Sequence, residues 1–124
     1  MTEREHPAFE RGLEAYESGR HFEAHEHWED LWRAERDPAR RRWLQGLIQI
    51  AAAAHKLRRM GDAVASSRLL GRALDKLRDA PEGTFGLRLG ELCADVERAR
   101  TAIEAVDSKR GPLDAWLPTI RRAP

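Results

Sequence analysis

The sequence predicts an all-α protein: a compact bundle of four to five helices, arranged as antiparallel helix hairpins around a central apolar helix at about residues 39–60. First, apolar residues recur at spacings of three and four along most of the 124-residue chain. Second, glycine and proline separate these amphipathic segments. Third, residues 43–55 contain no Asp, Glu, Lys or Arg, and their apolar side chains cover most of the helical wheel. Such a pattern is typical of a helix that is packed on several sides.

The periodicity predicts helices at about residues 8–17, 22–35, 39–60, 63–79 and 85–107. Gly19 and Gly61 follow two of these segments, as glycine often follows a helix end, and Asp37-Pro38 ends another. The last helix carries apolar residues in alternating steps of three and four, a seam that packs on another helix. We expect a single helical domain over residues 1–124, with residues 85–107 as an additional C-terminal helix and residues 112–122 as a docked tail that forms a short helix or turn.

Composition and charge restrict the function classes. The chain has 22 basic and 21 acidic residues, a formal net charge of +1, so it lacks the basic excess of a typical nucleic-acid-binding protein. Cys93 is the only cysteine, which excludes an internal disulfide and a thiolate metal cluster. The first residues lack an apolar signal region, and no segment reaches about 20 apolar residues. We therefore expect no nucleic acid and no membrane among the partners, and a cytoplasmic location.

The residues that could carry chemistry cluster in the second and third helices. His25 and Glu29 lie one turn apart at the edge of the apolar arc of the second helix, where an unpaired charge would be costly. The third helix has a narrow polar stripe with Gln45 and Gln49, and His55 falls in an apolar sector. The candidate site residues are His25, Glu26, Trp28, Glu29, Trp32, Gln45, Gln49 and His55.

This cluster is compatible with a metal site, with a site for a small polar ligand, and with a buried hydrogen-bond network. In a metal site, His25, Glu29 and His55 would hold a divalent ion, supported by Gln45 or Gln49. In the network, His25 would pair with Glu29, and the histidines would fix the register of the helices. Removal of His25 would then leave Glu29 unpaired, which predicts a destabilisation of about 1–3 kcal/mol for His25→Ala.

The tryptophans allow two interpretations as well. Trp28, Trp32 and Trp43 could form the walls of a ligand pocket, or they could simply fill the core, with each indole N–H bonded to a nearby acceptor. The core interpretation is favoured, because tryptophan supplies much of the apolar volume of a small domain.

Enzymatic activity has the least support. The second helix lacks the H-E-x-x-H pattern of zinc proteases, because His25-Glu26 is followed by Glu29 where the second histidine would stand. A metal-dependent hydrolase with Glu26 or Glu29 as the base is therefore the third hypothesis.

The motifs G-R-H-F-E-A-H-E-H-W-E-D-L-W (19–32) and L-Q-G-L-I-Q-I-A-A-A-A-H (44–55), followed by G-D-A-V-A-S-S-R-L-L-G-R-A-L-D-K-L, resemble the DUF309 family. These are small all-helical prokaryotic proteins of unassigned function. The resemblance covers about residues 8–80 and implies a compact helical bundle, but no reaction. It assigns the family's signature positions to Gly19, Phe22, Glu23, His25, Glu26, Trp28, Glu29, Trp32, Gln45, Gly46, Gln49 and His55.

Solvent access separates the main hypotheses. A cluster that opens into a pocket favours a ligand-binding module or an enzyme, whereas a sealed and fully bonded cluster favours a structural or protein-interaction domain. A homodimer through the last helix or the tail is also possible, because the apolar seam and Trp116 would form an exposed patch if nothing within the chain covered them.

Overall fold

The computed structural model describes residues 6–105 and 117–123. Within these residues the chain forms five α-helices: α1 (Pro7–Glu17), α2 (His21–Ala34), α3 (Pro38–Met60), α4 (Ala63–Leu77) and α5 (Leu89–Ala105). A 3-10 turn, Thr84–Gly86, precedes α5. The predicted all-α class is confirmed. No described helix is long and apolar enough to cross a membrane.

The residues at the helix ends explain why the chain breaks where it does. Gly19 has a φ of 79° and Gly61 a φ of 62°, a left-handed backbone that residues with a side chain rarely adopt. Asp37 caps α3 by accepting a hydrogen bond from the backbone N–H of Arg40, and Asp62 caps α4 in the same way. The first four helices consequently begin and end within two residues of the predicted bounds.

The helix α3 is the centre of the bundle, as predicted. It packs against α2 on one side and against α4 on the other, and α1 packs against α2. Gly46 allows α3 and α4 to approach closely, since a Cβ atom at this position would lie 2.7 Å from Cγ of Leu77. The uncharged stretch of α3 is therefore buried because it lies between two neighbouring helices. Its buried residues are Leu44, Gly46, Leu47, Ile48, Ile50, Ala51, Ala53, Ala54 and Leu57.

The predicted start of the last helix at residue 85 is wrong, because α5 begins at Leu89. Phe85 has a φ of 58° and Gly86 a φ of 72°, so the backbone turns here and continues extended at Leu87. Tertiary contacts hold this turn. The buried Phe85 ring packs 5.6 Å from the Phe9 ring, and the guanidinium of Arg40 lies 5.5 Å from the centre of the Phe85 ring. Contacts with distant residues outweigh the local helical pattern.

The described part of the apolar seam of α5 is covered within the chain. Its described members are all buried, namely Leu89, Leu92, Val96, Ala99 and Ile103, and α5 packs against α4. These residues therefore do not form the exposed patch that suggested a homodimer. The end of the predicted last helix beyond residue 105, and Trp116, lie outside the described residues.

Residues 117–123 are irregular and bind across the bundle. The Tyr16 hydroxyl donates to the Pro118 carbonyl at 2.6 Å, and the Thr119 N–H donates to Asp95 at 2.7 Å. Farther along, the Ala123 N–H donates to the Gly86 carbonyl. This end of the chain therefore links α1, the turn before α5 and α5 itself.

Tyr16 makes this link sensitive to alkaline pH. It is the only tyrosine in the chain, and burial, with the charge of Asp95, raises the pKa of its phenol far above the ordinary value of about 10. Above pH ~10 the unfolded chain loses this proton and the folded chain keeps it, so stability is unaffected at lower pH and falls as the pH rises further. We expect tyrosinate absorbance to appear only together with loss of the helical circular dichroism. Tyrosinate that forms near pH 10 in a fully helical protein would contradict this placement of Tyr16.

Candidate functional site

Two of the predicted site residues meet at one exposed ring. The Phe22 side chain is 52% exposed. The His25 ring stacks parallel to it at 5.8 Å, and the His55 ring contacts it at 5.3 Å with a tilt of 45°. Because α2 supplies Phe22 and His25 and α3 supplies His55, this ring cluster (Phe22, His25 and His55) joins the two helices that the sequence predicts to share a site.

The His25–Glu29 pair forms, and it has a third member. His25 Nε2 lies 3.4 Å from Glu29 Oε2, and the Arg33 guanidinium donates to Glu29 Oε1 at 2.8 Å. The side chains of His25 and Glu29 are 28% and 31% exposed. The Glu29 carboxylate therefore has a neighbour one turn away on either side of its own helix, and Arg33 supplies the balancing positive charge.

Two polar atoms of the predicted cluster are buried without a hydrogen-bond partner in the described part of the chain, His25 Nδ1 and Gln49 Oε1. An unsatisfied buried polar atom costs about 1–3 kcal/mol, so native proteins contain few of them. The described protein groups therefore leave two hydrogen-bonding atoms of the cluster unbonded.

A pocket of about 440 Å³ opens beside the ring cluster, within the range of small-molecule sites. We call it the α2–α3 pocket, and it is lined by Gly19, Arg20, His21, Phe22, Glu23, His55 and Arg59. Arg20 forms an ion pair with Glu23 at 2.8 Å. Arg59 is exposed and forms no ion pair with the described residues. The buried His21 ring forms the inner wall, where it packs 5.1 Å from the Tyr16 ring.

The tryptophans lie away from this pocket. Trp28 is fully buried, and its indole N–H donates to the Phe9 carbonyl at 3.3 Å. The guanidinium of Arg41 covers the Trp32 ring at 4.0 Å, and the Trp43 indole donates to Asp79. These contacts agree with a role in packing rather than in lining a ligand site.

The remaining candidates are not brought into the cluster by any contact. Glu26 is exposed and Gln45 is partly buried, and neither forms a hydrogen bond with the described residues. In the same part of the chain, no three His, Cys, Asp or Glu side chains are grouped closely enough to hold a metal ion. A metal site at His25, Glu29 and His55 therefore stays a prediction, without support from the geometry.

The two arginines of the pocket are not among the site residues predicted from the sequence. Arg59 lies one turn after His55 on α3, and side chains four residues apart on a helix share a face. Continuing the helical wheel beyond His55 would have placed Arg59 beside it. Arg20 has no such signal, because it precedes α2 and its position depends on the turn at Gly19.

Comparison with known families covers this same region. A family model described as "Domain of unknown function (DUF309)" matches residues 9–68. Residues 9–68 are a DUF309 domain. The DUF309 domain contains most of α1, all of α2 and α3 and the start of α4, and therefore the ring cluster and the α2–α3 pocket. The helix α5 and residues 117–123 lie outside the match. No curated protein matches the chain.

The geometry revises the expected effect of His25→Ala. Glu29 keeps Arg33 when the imidazole is removed, and the pair is partly exposed, so we expect a loss of about 1 kcal/mol or less in the free energy of unfolding. Urea unfolding of this variant beside the exposed-site control Glu26→Ala measures the difference. A loss above about 2 kcal/mol would mean that the pair is desolvated more strongly than its exposure indicates.

Proposed function

We propose that the DUF309 domain of this chain is a binding module for a small polar ligand, and that the ligand occupies the α2–α3 pocket. The observation that carries the proposal is the pocket itself: about 440 Å³, bounded by residues of both sequence motifs, with the exposed Phe22 ring at its wall. A concave site of this size that combines apolar rings with a few polar groups has the usual character of a small-molecule site.

The exposed Phe22 ring supports the same proposal. Phe22 is 52% exposed and lines the pocket. Contact of this apolar ring with water costs free energy. A ligand that covers the ring removes this contact, and the free energy gained in this way contributes to binding.

Binding without catalysis fits the contacts better than the hydrolase hypothesis does. Neither Glu26 nor Glu29 lines the α2–α3 pocket. Both oxygens of Glu29 face His25 and Arg33, and Glu26 has no hydrogen bond with the described residues that would orient it as a general base. In line with the sequence, we propose a cytoplasmic protein that does not act on nucleic acid.

Thermal melting with a panel of small polar compounds tests the proposal in the wild type and in Phe22→Ala. The matched control is Val64→Ala, because Val64 is a comparably exposed apolar residue, 63% exposed, that does not line this pocket. We expect a compound that raises the melting temperature of the wild type and of Val64→Ala but not that of Phe22→Ala. A panel without any such compound would contradict the proposal.

The same experiment contains a metal arm with Zn²⁺, Mn²⁺ and Ni²⁺. A stoichiometric metal that raises the melting temperature, and whose effect is lost in His25→Ala and in His55→Ala, would replace the pocket proposal by the metal-site hypothesis. Melting curves unchanged by the three ions leave the small-molecule proposal in place.

A protein-interaction role is the second candidate, and one observation favours it. Phe22, Met60 and Val64 are the large hydrophobic side chains that the described residues leave exposed. Light scattering of the wild type and of Met60→Ser/Val64→Ser tests whether these residues hold two copies together. A wild-type dimer that becomes monomeric in the double variant would favour this candidate.

A further inference from the structure

The charges around the α2–α3 pocket do not cancel. Its lining includes two arginines and one glutamate, Arg20, Arg59 and Glu23, which leaves a formal charge of +1 before either histidine is counted. The ion pair between Arg20 and Glu23 at 2.8 Å balances one arginine. The excess therefore belongs to Arg59, whose guanidinium forms no ion pair with the described residues.

The position of Arg59 ties this charge to the ring cluster. Arg59 and His55 are four residues apart on α3, so their side chains extend along the same helix face, and both line the pocket. A guanidinium presents its N–H groups as a planar fork that matches a carboxylate or a phosphate. The part of the pocket lined by Arg59 and His55 therefore offers a positive charge and N–H donors to an anion.

The other wall of the pocket is aromatic. The exposed part of the Phe22 ring and the His55 ring, 5.3 Å apart, offer flat surfaces, and His21 closes the inner side. A bare inorganic anion would leave these surfaces uncovered in a pocket of about 440 Å³. A ligand that also has a flat apolar body buries them and gains the free energy of apolar contact.

From these two walls we infer that the pocket selects organic anions, in which a carboxylate or phosphate group is joined to a flat apolar ring. This inference rests on the proposed function and adds the chemical class of the ligand. Arg59 binds the anionic group, His55 supplies a further hydrogen-bond donor, and Phe22 covers one face of the ring.

Matched probes separate charge from shape. Benzoate, benzamide and benzamidine have nearly the same outline but carry a negative charge, no charge and a positive charge. By calorimetric titration we expect benzoate to bind roughly tenfold or more tightly than benzamide, and benzamidine to bind more weakly than both, since only benzoate offers the Arg59 guanidinium a hydrogen-bonded ion pair. Phenyl phosphate beside benzoate shows which anionic group is preferred, and inorganic phosphate tests the need for the ring.

The Arg59→Gln variant keeps much of the size of the side chain and removes the charge. We expect it to lose roughly tenfold or more in benzoate affinity while its affinity for benzamide is unchanged. The control is Arg72→Gln, because Arg72 is an exposed arginine of α4 that neither lines the pocket nor forms an ion pair with the described residues. It should bind benzoate as the wild type does.

These titrations test the preference for organic anions separately from the existence of the ligand site. Equal affinity for benzoate and benzamide, or a wild-type affinity for benzoate in Arg59→Gln, would overturn the anion selectivity and leave a ligand site standing. Binding of inorganic phosphate as tight as that of phenyl phosphate would overturn the need for an apolar body. A failure of every compound in this set and in the thermal panel would overturn the proposed function itself.

Discussion

Replacing Trp28 by alanine is expected to lower the free energy of unfolding by about 3–5 kcal/mol, the usual cost of deleting a large buried aromatic side chain. Trp28 is fully buried, and its ring lies 6.1 Å from that of Phe9 and 6.2 Å from that of Tyr16. Its indole N–H also satisfies the Phe9 carbonyl. The substitution therefore removes both the apolar volume and the hydrogen bond that join α2 to α1.

Urea unfolding of Trp28→Ala measures this loss, and Trp43→Ala is the control. Trp43 is half-buried and bonded through its indole to the exposed Asp79, so we expect a loss of only about 1–2 kcal/mol. Equal losses in the two variants would show that Trp28 is not the anchor of the α1–α2 hairpin.

The second large effect is expected for Gly12→Ala. A Cβ atom on Gly12 would lie 2.1 Å from Nε1 of Trp28 and 2.5 Å from Cδ1, and the indole is enclosed by the core. Overpacking a core costs about 1–3 kcal/mol. We expect a cost at the upper end of this range, because the new Cβ atom would lie so close to the Trp28 indole. Alanine gains about 1 kcal/mol over glycine within a helix, so the net destabilisation should be about 2 kcal/mol.

Gly71→Ala provides the opposite case. Gly71 lies within α4, and a Cβ atom there would meet only the end of the flexible Arg100 side chain at 3.3 Å. We expect no destabilisation or a gain of up to about 1 kcal/mol in the free energy of unfolding.

The double variant Gly12→Ala/Trp28→Phe should be more stable than the sum of the single effects predicts, because phenylalanine lacks the indole atoms that the new methyl group meets. Strict additivity would contradict this close contact.

Much of the fold could be predicted because local signals and tertiary packing agree. The glycines at 19 and 61, the caps at Asp37 and Asp62, and the uncharged face of α3 all indicate helix bounds that the packing also requires. The apolar periodicity predicts the wrong start for the last helix at Phe85. There, contacts with Phe9 and Arg40, which come from distant parts of the chain, override the helical pattern. Periodicity carries no information about such contacts.

The candidate site could be predicted in part, because part of it depends on helical spacing alone. A helical wheel places His25 beside Glu29, and the motif pairs α2 with α3, so the approach of His25 and His55 to one shared region is foreseeable. A wheel does not show that Phe22 stays exposed between the two imidazoles, because its exposure depends on how α2 and α3 cross. Nor does it show that Arg33 balances Glu29, since that depends on the side-chain conformations.

The most direct test of the ligand site is a titration of ¹⁵N-labelled protein with benzoate, followed by two-dimensional amide spectra. If the α2–α3 pocket binds the probe, saturable shifts should concentrate at Gly19, Phe22, Glu23 and His55. A second pocket, between α4 and α5, includes Ser67 and Ile103 in its lining, and their amides serve as the internal comparison. Shifts concentrated at Ser67 and Ile103, or spectra unchanged by benzoate and by every compound of the thermal panel, would contradict a ligand site between α2 and α3.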